Sequence, residues 1–411
     1  MKIDFGYELP RAKAPIFIVR LRPAHPEPSL HSAYPESRKL AYPESRKLAY
    51  LVEPCWLVPR ILPALFLLLL VFFSSPIDAE AEKKKAADLV TDGQPIDLQH
   101  EKYQVLFKEL KTEHHFTDSE LQGIFSNQKI SKRVLELMDS QWESKPYYEY
   151  APLFVTNKTI ASGRKKLHQY RALLDRVETT YGVDREIVIA IWGIETRYGT
   201  HQGAFNVLQT LNTLFDAYPR RSKFFRKQLV HFLVLCKENN VNPGTIKGSY
   251  AGAFGQTQFI PSSFQAYAVS FDGDDRRDVW NSVPDVLASI ANYLKQYKWT
   301  LSAPMYAELG HELKDQQLIA AKLKGRKGRV EWQLVRELQN PDIPPSPNNR
   351  PLSIVGLELP PEAEQTMRYI AGYPNFQAIT EWNHSNRYAM AVTELAEAFQ
   401  KTEGGRRKTE N

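Results

Sequence analysis

Only two cysteines occur in 411 residues, Cys55 and Cys236, and Cys55 stands upstream of an export-type apolar segment. No stabilising intramolecular disulfide is therefore expected, and packing must hold the fold together. The apolar run at residues 62–73 falls short of the roughly 20 residues that a membrane-spanning helix needs. No cysteine follows that run at a cleavage position, so a lipid-anchored mature form has no support. Strand-type alternation is scarce, which excludes a β-rich fold. The charge is not of one sign: 53 Lys and Arg stand against 47 Asp and Glu, a formal +6 with a pI near 9.0. Such an excess suits an anionic polymer. The basic clusters Lys83 to Lys85, Arg220 with Arg221, and Arg406 to Lys408 follow no nucleic-acid motif and read as solvated faces, so nucleic acid is not the expected partner.

What is present begins with an unusual N-terminus. Residues 1–60 are proline-rich, and the octamer AYPESRKL at 33–40 recurs at 41–48; this reads as a disordered extension, too short and polar for a solenoid. Residues 61–81 have the layout of a signal peptide: Arg60, an apolar core, then Ala79-Glu-Ala81. The expectation is export to the periplasm, with membrane association through an uncleaved signal as the variant form. Residues 82–99 read as a linker, 100–400 as one catalytic domain and 401–411 as a polar tail.

With 43% hydrophobic and 24% charged residues, the chain can bury a sizeable core. The apolar spacing from residue 100 onward is helical: Leu121, Ile124 and Phe125; Val134, Leu135 and Met138; Leu167, Tyr170, Leu174 and Val177; Val286, Leu287, Ile290, Ala291 and Leu294; Tyr388, Val392, Leu395 and Phe399. Two stretches resist it. Gly248 to Ser263 is rich in Gly and Ser and is placed in a cleft-lining loop; Pro341 to Pro361 is rich in proline and is placed between lobes.

Asp184 is a good helix N-cap, and Ile187 to Ile194 is apolar all round, hence buried. Glu195 closes this run with Trp192 one turn back. Desolvation there would raise its pKa and keep it an acid near neutral pH, able to protonate a glycosidic oxygen. On spacing alone the other reading is a helix-end glutamate paired with Arg197 or Lys166. Gly193 and Gly199 favour the first, because glycines admit a ligand or a backbone. In the Gly-rich loop, Ser249 and Gln258 offer hydrogen bonds of the kind sugars accept, although such a loop can equally be a structural turn.

These residues, with Tyr218-Pro-Arg-Arg221, Asp272-Gly-Asp274, Asp278-Val-Trp280, Ala291-Asn-Tyr293, Pro374 to Ser385 and Tyr388-Ala-Met-Ala391 in order, make the chain resemble the lytic murein transglycosylase B family over roughly residues 100–400. The resemblance implies a mainly α, lysozyme-like helical core with additional helical lobes. It also implies a peptidoglycan lytic transglycosylase that cleaves the MurNAc–GlcNAc β-1,4 bond without water and leaves 1,6-anhydro-MurNAc ends. It carries the catalytic role to Glu195 and sugar contacts to Ser249, Gln258, Tyr293, Asn383 and Tyr388. One departure is Trp382, where the family usually has Tyr: a ring remains but the hydroxyl is gone. A hydrolytic muramidase and a non-catalytic wall-binding protein are the rival readings. Glycan strands are the implied partner, with cell-wall enzyme complexes beyond them.

The family can also carry an EF-hand-like calcium loop. Here residues 270–278 put Ser270 at its first position and Asp275 where the turn glycine belongs, leaving Asp272, Asp274 and the distant Asp285 as candidate ligands. Weak or absent calcium affinity is expected, and no other cofactor is required.

Overall fold

The computed structural model describes residues 85–140 and 145–401. The octamer duplication, the signal-type segment and the polar tail beyond residue 401 lie outside the described residues. Of the segment read as a linker, residues 85–99 are described; most are exposed, but the segment is anchored where Ala86, Ala87 and Ile96 are buried and where Pro95 bridges to Lys129.

Fifteen helices are described: α1 (Glu101–Thr112), α2 (Asp118–Phe125), α3 (Lys132–Asp139), α4 (Tyr147–Tyr150), α5 (Asn157–Gln169), α6 (Arg171–Tyr181), α7 (Arg185–Thr196), α8 (Val207–Ala217), α9 (Ser222–Glu238), α10 (Pro261–Tyr267), α11 (Val283–Gln296), α12 (Gln316–Leu323), α13 (Trp332–Leu338), α14 (Pro374–Asn383) and α15 (Asn386–Gln400). Five short strands accompany them: β1 (Phe205–Asn206), β2 (Lys247–Gly248), β3 (Tyr306–Gly310), β4 (Ser353–Glu358) and β5 (Met367–Gly372). Among the described residues no helix is long and apolar enough to cross a membrane.

The helical stripes fall where their spacing puts them, with one exception. The stripe from Leu167 to Val177 is two helices, because Tyr170 leaves helical geometry (φ −107, ψ 21) between α5 and α6. At the centre lies α7, packed against α5, α6, α11 and α15. That enclosure explains its sequence: residues 187 to 196 are all buried, so no face can be polar. Asp184 does occupy the N-cap position, but its carboxylate does not cap α7. It accepts instead from Trp299 Nε1 at 2.8 Å and the Ser302 backbone N–H at 3.1 Å, holding a distant loop against the helix start.

The added lobe is not wholly helical. β3, β5 and β4 form an antiparallel sheet in the order β3-β5-β4, backed by α12 and α13 around a second core that includes Leu318, Val335, Leu352, Ile354 and Tyr373. The proline-rich stretch expected as a mere connection contains β4. Its residues Ser353, Ile354, Val355 and Leu357 are buried on both faces. A strand covered on both sides reads as an apolar run, with none of the alternation that marks a half-exposed strand. Ion pairs join this lobe to the last helices: Arg368 with Glu394 at 3.1 Å, Arg387 with Glu358 at 2.5 Å, and Arg326 with Glu381.

Candidate active site

Glu195 sits in the last turn of α7, only 6% exposed. Beyond Thr196 the chain turns sharply, with Arg197 (φ 50), Tyr198 (φ 59) and Gly199 (φ 84) in the left-handed region. Two consecutive non-glycine residues there are costly and persist only where the surroundings fix them. Those surroundings are visible. Tyr198 Oη donates to the Thr159 carbonyl at 2.9 Å, and its ring lies over Gly193, where a Cβ would stand 2.7 Å from the hydroxyl. The glycines at 193 and 199 thus admit Tyr198 and Gln256 rather than a ligand.

Two donors converge on one carboxylate oxygen. Tyr388 Oη donates to Glu195 Oε1 at 2.6 Å, and Trp382 Nε1 donates to the same atom at 2.9 Å. Neither Arg197 nor Lys166 pairs with the carboxylate; Lys166 lies over the rings of Tyr170 and Trp192. Among the described residues no donor reaches Oε2. In the acid form the proton therefore belongs on Oε2, since Oε1 already accepts twice. Burial pushes the Glu195 carboxyl up to about 7, and the bonds from Tyr388 and Trp382 hold it from rising further.

Both donors are placed by the α14–α15 junction. His384 takes the left-handed conformation that ends α14, and the Ser385 hydroxyl caps α15 by accepting from the Tyr388 N–H. Tyr388, buried and first-turn, is thereby aimed at Glu195. The departure at Trp382 acquires a meaning: the indole N–H supplies a donor to the acid although the hydroxyl is absent.

Sequence reasoning missed the clamp between α7 and the Gly-rich loop. Gln256 Oε1 accepts from Trp192 Nε1 at 2.9 Å, its Nε2 donates to the Trp280 carbonyl at 2.9 Å, and its backbone carbonyl accepts from Thr196 Oγ1 at 3.1 Å. Tyr150, buried near enough to feel the charge of Glu195, was missed too. Neither carries a signal in sequence, because each works through long-range contacts.

The other expected contact residues are placed as follows. The Ser249 hydroxyl is buried and accepts from the backbone N–H groups of Ala251 and Ala253, so it organises its own loop. Gln258, with φ 50, donates to the Gln202 and Gly255 carbonyls while its Oε1 is buried with no partner among the described residues. Tyr293 Oη donates to the Glu381 carbonyl at 2.8 Å, and its ring lies 4.6 Å from Trp382. Asn383 is buried at the end of α14. Gln258, Tyr293 and Trp382 share one cleft with Phe259 and Tyr267. The carboxylate on that wall, Glu381, is tied to Arg326.

A family model, the transglycosylase SLT domain, matches residues 99–397. The chain belongs to this transglycosylase family. It is 33% identical over 311 residues to membrane-bound lytic murein transglycosylase B of Escherichia coli K12, covering 72% of this chain and 81% of the relative. The soluble lytic transglycosylase SltB1 of Pseudomonas aeruginosa matches at 32% identity, covering 72% of this chain and 97% of that one with a TM-score of 0.63. The Escherichia coli lytic transglycosylase Slt35, solved in complex with calcium, matches at 32%, covering 75% and 95% with a TM-score of 0.65. The lysozyme-like helical fold and the lytic murein transglycosylase class expected from the sequence both stand.

Calcium in that relative puts the acidic loop of this transglycosylase to the test. Asp285 is fully buried, and its two oxygens accept from the N–H groups of Phe271 at 2.7 Å and Asp278 at 2.8 Å. Asp272 accepts from Ser282 Oγ and from the Asp274 N–H. Asp274 accepts from the N–H of Arg276 and pairs with its guanidinium. The Ser270 hydroxyl donates to the Asp274 carbonyl rather than standing free as a ligand. Ser270 supplies no charge at the first position and a guanidinium lies on Asp274, so the loop offers fewer charged oxygens than the six to eight converging ligands that calcium takes. Titration with calcium at micromolar concentration is expected to leave the melting temperature unchanged; a large rise would show that the loop rearranges to bind.

Proposed function

We propose that Glu195 alone serves as acid and then base in cleavage of the MurNAc–GlcNAc bond. The observation that supports this reading is a buried carboxyl whose Oε1 is held by two donors, leaving the proton on Oε2. That proton passes to the glycosidic oxygen while the C1–O bond breaks and its electron pair stays with the departing N-acetylglucosamine. The C6 hydroxyl of the same N-acetylmuramic acid attacks C1 and gives its proton to Oε2. Water is not consumed, the acid is regenerated, and a 1,6-anhydro end results. A paired-carboxylate glycosidase needs a second free acid; Glu381, engaged by Arg326, is a poor one.

In this reading Gln258 Oε1, buried and unpartnered, accepts from a sugar hydroxyl or acetamido N–H, Asn383 orients the acetamido group, and the cleft aromatics carry the pyranose faces. Ser249 acts through the loop it organises. Tyr388 and Trp382 position and tune Glu195. The relative SltB3 of Pseudomonas aeruginosa, 31% identical over 74% of this chain, is solved with NAG-anhNAM-pentapeptide, which supports peptidoglycan as substrate and partner here. Mass spectrometry of sugar ends released from purified peptidoglycan tests the reaction. Anhydro ends are expected; reducing ends would make the protein a hydrolase, and no release would leave it a wall binder.

Glu195 must begin protonated, so activity falls as pH rises through its pKa of about 7. Tyr388→Phe removes a donor that favours the charged form, and the pKa rises further. A bond to a charged group is worth about 1.5–3 kcal/mol, so the alkaline limb of the kcat profile is expected to move upward by about one pH unit or more. An unmoved limb, or one shifted downward, would mean that Tyr388 does not tune the acid.

The substrate also requires a location outside the cytoplasm. In the proposed reading residues 61–81 export the chain, and N-terminal sequencing of protein from the cell envelope should find a start near residues 80–82. Residues 1–60 intact on a cytoplasmic protein would contradict it.

A further inference from the structure

Trp382 and Tyr388, whose N–H and hydroxyl meet on Glu195 Oε1, stand in the last turn of α14 and the first turn of α15. Terminal turns are the least restrained part of a helix, because their hydrogen-bond ladder is incomplete. Only His384 and Ser385 separate the two helices. Bringing two donors to one atom requires the rotation of both turns to be fixed. Successive residues on a helix point about 100° apart, so the residue preceding each donor faces other elements and can serve as a handle.

Both handles are held by the added lobe. Arg387, which precedes Tyr388, forks onto Glu358 of β4: Nη2 donates to Oε1 at 2.5 Å and Nε to Oε2 at 3.2 Å. Glu381, which precedes Trp382, pairs with Arg326 from the turn Gly325–Lys327 that follows α12. The Glu381 backbone carbonyl is held as well, accepting from Tyr293 Oη at 2.8 Å. The Glu358 carboxylate also accepts from the Tyr147 N–H at 3.0 Å, at the start of the single turn α4 that carries Tyr150. Tyr150 lies within reach of the charges of both Glu195 and Arg387. One carboxylate thus ties down two segments beside the acid. All four side chains keep between 27% and 33% of their surface exposed, so the pairs add little stability. Their worth is geometric, since a bidentate Arg–carboxylate pair fixes orientation as well as distance.

We propose that Glu358 and Arg326 are positioning residues for the acid: through Arg387 and Glu381 they hold Tyr388 and Trp382 on one oxygen of Glu195. The proposal rests on the reading above that Glu195 is the acid and that its two donors tune it. At Glu358, grip and charge predict opposite signs. Removing its charge takes a negative group away from Arg387, which favours the Glu195 carboxylate and lowers its pKa. Removing its grip loosens Tyr388, which withdraws a bond from the carboxylate and raises the pKa. The other titratable groups beside Glu195 and Tyr388 are the phenols of Tyr150 and Tyr293, common to parent and variants.

The test is the pH profile of kcat on purified peptidoglycan, with circular dichroism to confirm folding. Glu358→Gln is made in the parent and in Tyr388→Phe, and Arg326→Gln in the parent and in Trp382→Phe. Half-exposed pairs couple weakly, so Glu358→Gln is expected to move the alkaline limb upward by about half a pH unit, less than Tyr388→Phe does. In the Tyr388→Phe background no hydroxyl remains to be aimed, and Glu358→Gln should add nothing. Arg326→Gln should likewise move the limb upward in the parent and add nothing in Trp382→Phe. A residue that only supports the fold would lower the melting temperature and leave the limb in place. A limb unmoved or moved downward by Glu358→Gln would overturn the proposal, as would equal shifts in the parent and in Tyr388→Phe. Should Glu358→Gln fail to fold, Arg326→Gln and its cycle decide on the same terms. An unmoved limb in Tyr388→Phe itself would sink the tuning reading and this inference with it. A limb that answers to Tyr388→Phe but not to Glu358→Gln would defeat this inference alone.

Discussion

Glu195→Gln is expected to release no measurable anhydro-muropeptide from purified wall while still binding it. Gln keeps the size and hydrogen-bonding shape of Glu. Its carbonyl oxygen can take the place of Oε1 and accept from both Tyr388 Oη and Trp382 Nε1, which stand 2.6 and 2.9 Å from that atom. The amide NH₂ then occupies the Oε2 position, where no protein donor competes for it. Folding and cleft shape should survive. The chemistry should not, because an amide neither gives a proton to the leaving oxygen nor takes one from the C6 hydroxyl. General acid or base assistance is worth about 10² to 10⁴ in rate, and one group here supplies both. The measurement pairs muropeptide release with sedimentation on wall and circular dichroism. A folded variant that retained more than about a tenth of the parent rate would remove Glu195 from the catalytic role.

How much of this was written in the sequence depends on range. The buried helix α7 was legible because a helix enclosed on every side must be apolar on every side, and a lone glutamate closing such a run stands out. The caps, the helical stripes and the Gly-rich loop are local signals of the same kind. What stayed hidden was long-range. Trp382 and Tyr388 are 187 and 193 residues from Glu195 in the chain, and nothing in their own neighbourhoods says that they share one oxygen. Gln256 is one more polar residue in a Gly- and Ser-rich loop, yet it ties Trp192 to the Trp280 carbonyl. In the sheet of β3, β5 and β4, the strand β4 escaped because burial on both faces erased its alternation.

The carboxyl proposed as the acid should also weaken the fold, and the same variant exposes this through pH. An unfolded Glu titrates near 4.5, whereas burial pushes Glu195 up to about 7 in the folded protein. Below about pH 4.5 both states carry the proton, and the stability associated with the neutral carboxyl is fully present. As pH rises past the unfolded value, the unfolded chain ionises first and is favoured. The loss grows until pH passes about 7, where the folded state ionises too and the difference levels off. A separation of about 2.5 pH units corresponds to about 3 kcal/mol. Gln does not titrate, and the remaining ionisable groups are common to both proteins, so they largely cancel in the difference. Glu195→Gln is therefore expected to gain stability over the parent by up to about 3 kcal/mol between roughly pH 4 and pH 8, read as a rising gap between their denaturant midpoints at unchanged m-value. A gap that stayed flat over that range would show that the folded carboxyl is not held away from water. The raised pKa on which the acid step depends would then be absent, even if the variant were inactive.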